Sequence, residues 1–155
     1  MKMNYFYCII LLGILFLSSC ESSNSSNDCT PQQIPVKSLE TEYGCINTKY
    51  QLASLAPPNE GFIIIRNQAD FEVQTDQIDC RPQIDFETYD LVIGKRQLTS
   101  GNQSIQYQYM DDCTEKTLTV TFVQDATTFA PEIIFHALIP KLEPTEQIIV
   151  ETVVE

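Results

Sequence analysis

The residues with chemistry to offer are one histidine, six cysteines and an acidic excess of 21 Asp+Glu over nine Lys+Arg. A single His leaves no Ser-His-Asp signature and no His-rich metal cluster. His136 stands between Phe135 and Ala137 in an apolar run, which reads as a hydrogen-bonded core or face residue rather than a base. Asp85-Phe86-Glu87-Thr88-Tyr89-Asp90 places three carboxylates and two aromatics in six positions. Such a segment could supply hard oxygen ligands for Ca²⁺, or an acid/base pair if burial separated two pKa values. It lacks the Asp-x-Asp-x-Asp-Gly spacing of a calcium loop. The expectation is therefore a loop whose Phe86 plugs the core while Asp85 and Asp90 bond turn amides.

Asp111, Asp112 and Glu115 around Cys113 read as the solvated tip of a hairpin. Gln106, Tyr107, Gln108 and Tyr109 could form an adhesive face, since Tyr is favoured at interfaces, but their alternation puts the Tyr pair inside and the Gln pair outside. Gly-rich phosphate loops and G-x-S-x-G elbows are absent from the sequence. No catalytic constellation emerges, and no metal or cofactor is expected. A formal charge of −12 argues against nucleic acid as a partner, because phosphate binding needs clustered Lys and Arg. With 43% hydrophobic and 19% charged residues, the 155-residue chain has the composition of one globular domain rather than of a disordered segment.

At the N-terminus one positive charge, Lys2, precedes thirteen residues without a charge, Tyr5 to Leu17. That run fits the ~7–15 residues of a signal-peptide core and falls short of the ~20 that span a bilayer. It ends in Leu17-Ser18-Ser19-Cys20, which resembles the bacterial lipobox. The resemblance implies cleavage before Cys20, diacylation of its sulfur and acylation of the new amino group. Two or three chains anchor stably, because each buried CH₂ contributes ~0.8 kcal/mol. Residues 1–19 are then a lipoprotein signal peptide, and residues 20–30 an acylated Cys with a Ser/Asn-rich tether. Residues 31–155 form a single β-rich domain. Removing residues 1–19 takes Lys2 and leaves eight cations against 21 anions, a charge of −13 that repels anionic headgroups. The membrane is thus a partner through the lipid alone, at a cell-envelope location.

Cys8 leaves with the signal and Cys20 is lipidated, so Cys29, Cys45, Cys80 and Cys113 remain as an even set in an exported chain. Two disulfides follow, in one of three pairings. The favoured pairing is Cys29–Cys45 with Cys80–Cys113, which keeps each bridge within one half of the chain. A zinc or redox site would want a C-x-x-C, and there is none.

The elements that must position these residues are mostly strands. Gly61 to Arg66 is apolar on both faces, as in a central strand. Asn67 caps a helix running through Ala69, Phe71 and Val73 to about Asp76, with Asp70 reaching back as in a capping box. Asp90 to Leu98 is a strand, Ser100-Gly101-Asn102 a turn, and Ile105, Tyr107 and Tyr109 mark a half-buried antiparallel strand. Leu118, Val120 and Phe122 share one face of the next strand. Ile133 to Ile139, closed by Pro140, and Gln147 to Val154 complete the set. The fold class is mainly β: an antiparallel sheet curled into a sandwich or half-barrel with about one short helix.

From Gly61 to Val150 the order of features resembles the PrcB C-terminal domain family, named for a lipoprotein subunit of a bacterial surface protease complex. The residues that carry it are Ile63 to Phe71, Pro82 to Phe86, Tyr89 to Gly94, Thr99-Ser100-Gly101-Asn102 and Ala130-Pro131 with the strand ending at Ile139-Pro140-Lys141. Asn102 stands where the family tends to have a second Gly, and Gln103 where it often has an aromatic; Asn tolerates positive φ, so the turn is kept. The resemblance implies a small β module that supports a partner protein without catalysis of its own. Two functions are thus expected of the chain: a protein-binding or accessory module, or alternatively a carbohydrate- or small-ligand-binding lipoprotein. The first predicts an open sheet edge or an exposed apolar patch, the second a concave Tyr-lined pocket.

Overall fold

The structure, a computed structural model, describes residues 29–46, 48, 52–74 and 79–155. The signal peptide, Cys20 and most of the tether lie outside the described residues.

Pro31 and Pro35 bracket a three-residue strand, β1 (Gln32–Ile34). Helix α1 (Leu39–Tyr43) follows, started by a capping box in which the Thr41 N–H donates to the Ser38 hydroxyl and the Ser38 N–H to Thr41 Oγ1. It ends at Gly44 with φ +70°, a left-handed cap that a β-carbon would strain. β2 (Gly61–Ile65) leads into α2 (Gln68–Gln74), where Asn67 Oδ1 accepts from the Asp70 N–H at 2.8 Å, as the capping pattern predicts. Then come β3 (Tyr89–Gln97), β4 (Asn102–Asp111), β5 (Lys116–Gln124), β6 (Glu132–Pro140) and β7 (Ile148–Val154).

The strands form two sheets, ordered β1-β4-β5-β7 and β2-β3-β6, and neither closes into a barrel. Residue alternation makes this a three-layer arrangement. Leu91, Ile93, Ile134 and Leu138 face the helices together with Ile65 and Phe71, while Val92, Phe135, Ala137 and Ile139 face Tyr109, Leu118, Val120 and Phe122 of the larger sheet. The smaller sheet is the middle layer, buried on both sides. That corrects the reading of Gly61 to Arg66 as a central strand: β2 is at an edge, and its two apolar faces reflect the layer rather than the strand order. Its neighbour β3 occupies the centre.

The fold class is the mainly β, antiparallel-rich one expected, and one further expectation, the disulfide pairing, is corrected. All strand pairs are antiparallel except β5·β7, which is parallel over Lys116–Phe122 and Ile148–Val154. The chain leaves the larger sheet after β5, runs through β6 in the other sheet and returns in the original direction. The disulfides are Cys29–Cys113 and Cys45–Cys80, with Cα separations of 5.9 and 5.6 Å, not Cys29–Cys45 and Cys80–Cys113. Pairing of Gln32 with Asp111 carries Cys29 to the hairpin tip. Cys45, just past α1, packs with Cys80 in the helix-side core. Long-range pairing, invisible in linear spacing, decides which thiols meet.

Candidate functional site

β1 continues along β4 only from Tyr109 to Asp111. Pro35 has no N–H to donate, so the chain departs there and bridges instead to β6, Lys37 pairing with Leu138. The departure leaves Asn102 to Gln108 of β4 with β5 on one side and no strand on the other among the described residues. Among the described residues β6 is equally without a strand on its outer side over Glu132 to Ala137. Two cavities of about 390 and 360 Å³ run between these edges and share Ile105 and Ile134. Exposed Phe129 lines one end, and Glu40, Tyr107 and His136 line the other.

His136 faces α1 across this cleft and is buried. Its Nε2 lies 3.2 Å from the Leu39 N–H and 3.0 Å from Glu40 Oε2. One nitrogen cannot accept from the amide and donate to the carboxylate at once, so the tautomer decides which bond forms. The Thr48 hydroxyl donates to the other Glu40 oxygen. Burial works against ionisation of Glu40, but the hydrogen bond and charge of His136 outweigh it and bring the carboxyl down from its ordinary 4.5 to about 2. His136 is therefore a hydrogen-bonded face residue, as expected, with a partner that the sequence reading missed. Nothing local points to Glu40, since its partner is on a strand ninety-six positions away.

A depressed carboxyl pKa stabilises the fold above the unfolded-state value and loses that contribution as pH falls toward the folded one. Urea unfolding is thus expected to show stability falling between about pH 4.5 and pH 2. Glu40→Gln is expected to flatten that limb. An identical acid limb in the variant would assign the loss to other carboxylates, of which Asp111, Asp112 and Asp125 are also held low by hydrogen bonds.

Most of the other candidates are engaged in structural work, while Glu87 is exposed. Asp85 Oδ1 accepts from the Glu87 and Thr88 amides at 3.1 and 3.3 Å, and Phe86 packs against the helix-side core. Asp90 does more than bond a turn amide. Its fully buried carboxylate takes Lys141 Nζ at 2.7 Å, the Leu142 N–H at 3.2 Å and Arg66 Nε at 3.6 Å. At the hairpin tip Asp112 Oδ1 accepts from the Glu115 N–H at 2.6 Å, and Asp111 pairs with Lys116 at 2.8 Å. Tyr109 is buried, Tyr107 half-buried, and Gln106 and Gln108 are exposed, in line with the alternation. Cys29, Cys45, Cys80 and Cys113 are all in disulfides, while Cys20 lies outside the described residues. Among the described residues no group of three or more His, Cys, Asp or Glu could hold a metal ion, and no helix is long and apolar enough to cross a membrane. Comparison with family models, curated proteins and solved structures yields no match to this chain.

Proposed function

We propose that this chain is a membrane-anchored lipoprotein whose exported β domain serves as a non-catalytic protein-binding or accessory module of the cell envelope. The observation that carries the reading is the half of β4 that no strand pairs among the described residues, beside an apolar cleft. A row of free backbone donors and acceptors is a template for another strand, and proteins normally blunt such edges with charge, Pro or cover. Here Gln97 to Met110 is fourteen residues without a charge in a chain that is 19% charged. The lipobox-like Leu17-Ser18-Ser19-Cys20 and the likeness to the PrcB C-terminal domain support the same assignment. Asp85, Asp90, Asp111, Asp112, His136 and the four cysteines of the described domain are engaged in structural bonds, which favours binding over catalysis.

Crosslinking in cells, followed by purification, tests it against a Cys20→Ser control. A protein partner recovered with the acylated chain and depleted in the control is the expected result. Recovery of the lipoprotein alone would overturn the accessory role.

A further inference from the structure

We infer that the Cys29–Cys113 disulfide is a reducible latch. A dithiol reductant opens it while Cys45–Cys80 stays closed, which frees β1 from β4 and extends the open edge through Asp111. The use of that longer edge rests on the protein-binding reading; the latch itself does not.

The two bridges sit in opposite surroundings. Cys29 and Cys113 are both exposed, at the tip of the β4–β5 hairpin. Cys45 is only 4% exposed, and Cys80 packs beside it in the helix-side core. Cys113 also has φ +77°, the one positive value at a non-glycine position among the described residues. A residue with a β-carbon holds that conformation only under constraint, here from a turn in which the Cys113 N–H donates to Asp111 Oδ1 at 3.0 Å. Exposed and strained bridges are the more easily reduced, and buried ones resist attack.

The opening is a thiol–disulfide exchange. A thiolate of the dithiol attacks one sulfur, the S–S bond breaks, and a mixed disulfide forms as the other cysteine leaves and takes a proton. The second thiol of the dithiol gives up its proton, attacks the mixed disulfide and releases the remaining cysteine. Two electrons pass to the bridge, and the dithiol is oxidised to its own disulfide. Asp112 and Glu115 flank Cys113 but are exposed, so water and salt screen their repulsion of the attacker. Burial of Cys45 has no such relief.

Little else holds β1 in place. It is three residues long, with Gln32 and Gln33 exposed and only Ile34 packed against the larger-sheet core. Pro31 and Pro35 on either side offer no N–H. The next tie, Lys37 to Leu138, is to the other sheet. Opening the bridge therefore leaves a chain end that frays, whereas β4 keeps β5 along its length.

The test uses the acylated full-length chain in detergent micelles, treated with dithiothreitol and quenched with iodoacetamide at intervals. Peptide mass spectrometry should find Cys29 and Cys113 alkylated at least about tenfold faster than Cys45 and Cys80. Once the first pair is reduced, the amides that join residues 32–34 to residues 109–111 should exchange about tenfold faster, with the rest of the domain unchanged. Cys29→Ser with Cys113→Ser should show the same exchange pattern without reductant. The inference is overturned if the four cysteines react together, or if Cys45 and Cys80 react first. It is also overturned if residues 109–111 keep their protection after reduction and in the double variant, or if protection is lost throughout the domain. Exchange is read on the chain alone, so the latch can fail while a partner crosslinked in cells upholds the accessory role, and the reverse.

Discussion

Replacing Asp90 by Ala is expected to lower stability by about 3–5 kcal/mol, because it strips a buried carboxylate from two cations and an amide. Asp90 is the point where three segments are tied. Lys141 Nζ bonds both its carboxylate and the Arg66 carbonyl, and Arg66 Nη2 reaches the Glu146 carbonyl at 3.4 Å. The start of β3, the end of β2 and the connection from β6 to β7 therefore share one clamp. Arg66 and Lys141 are each about a third exposed at the side chain, so water offsets part of the loss but not the orphaned Leu142 N–H. Asp90→Asn keeps an acceptor for that amide and should fall between wild type and Ala. The urea midpoint reads the change, with the denaturant slope unaltered. A drop of less than about 1 kcal/mol for the Ala variant would mean that the clamp is solvated rather than structural.

Gly94→Ala is the other substitution with a large expected cost, about 1–3 kcal/mol or more. Gly94 lies opposite Phe135 on the paired strands β3 and β6, and the Phe135 ring lies directly over it. A β-carbon there would overlap the ring. The ring has no room to retreat, being buried and packed edge-on against Phe122 at 5.8 Å and 72°. The glycine is thus required by space and not by backbone angle. Combining Gly94→Ala with Phe135→Leu should recover part of the loss, a coupling that thermal unfolding can measure as a double-mutant cycle. Strict additivity of the two changes would contradict the overlap.

What the sequence showed and what it hid divide along the range of the interactions. β4 and β5 were legible because one face of each is buried, giving Tyr109, Leu118, Val120 and Phe122 their period of two. The Asn67 cap was legible because its partner Asp70 is three residues away. Helix α1 has an equally local signal, Ser38 with Thr41 and a closing Gly44, but five residues show no apolar period and the cap uses Thr where Glu or Gln is usual. Strand β1 is too short between its prolines to show alternation. The parallel return of β7, the disulfide pairing and the Glu40·His136 contact depend on residues far apart in the chain, and no spacing encodes them. The open edge itself combines the two ranges: Pro35 is visible in the sequence, but the strand that it leaves unpaired becomes visible only once β1 is set against β4.

The most direct measurement is photocrosslinking in cells from a reactive residue placed at Gln106, compared with one at Val73, an exposed position on α2. Both are introduced into the acylated full-length chain. A protein adduct from position 106 that is lost with Cys20→Ser, with none from position 73, is the result that the account predicts. Adducts from position 73 only, or from neither, would contradict an envelope module that binds its partner through the β4 edge.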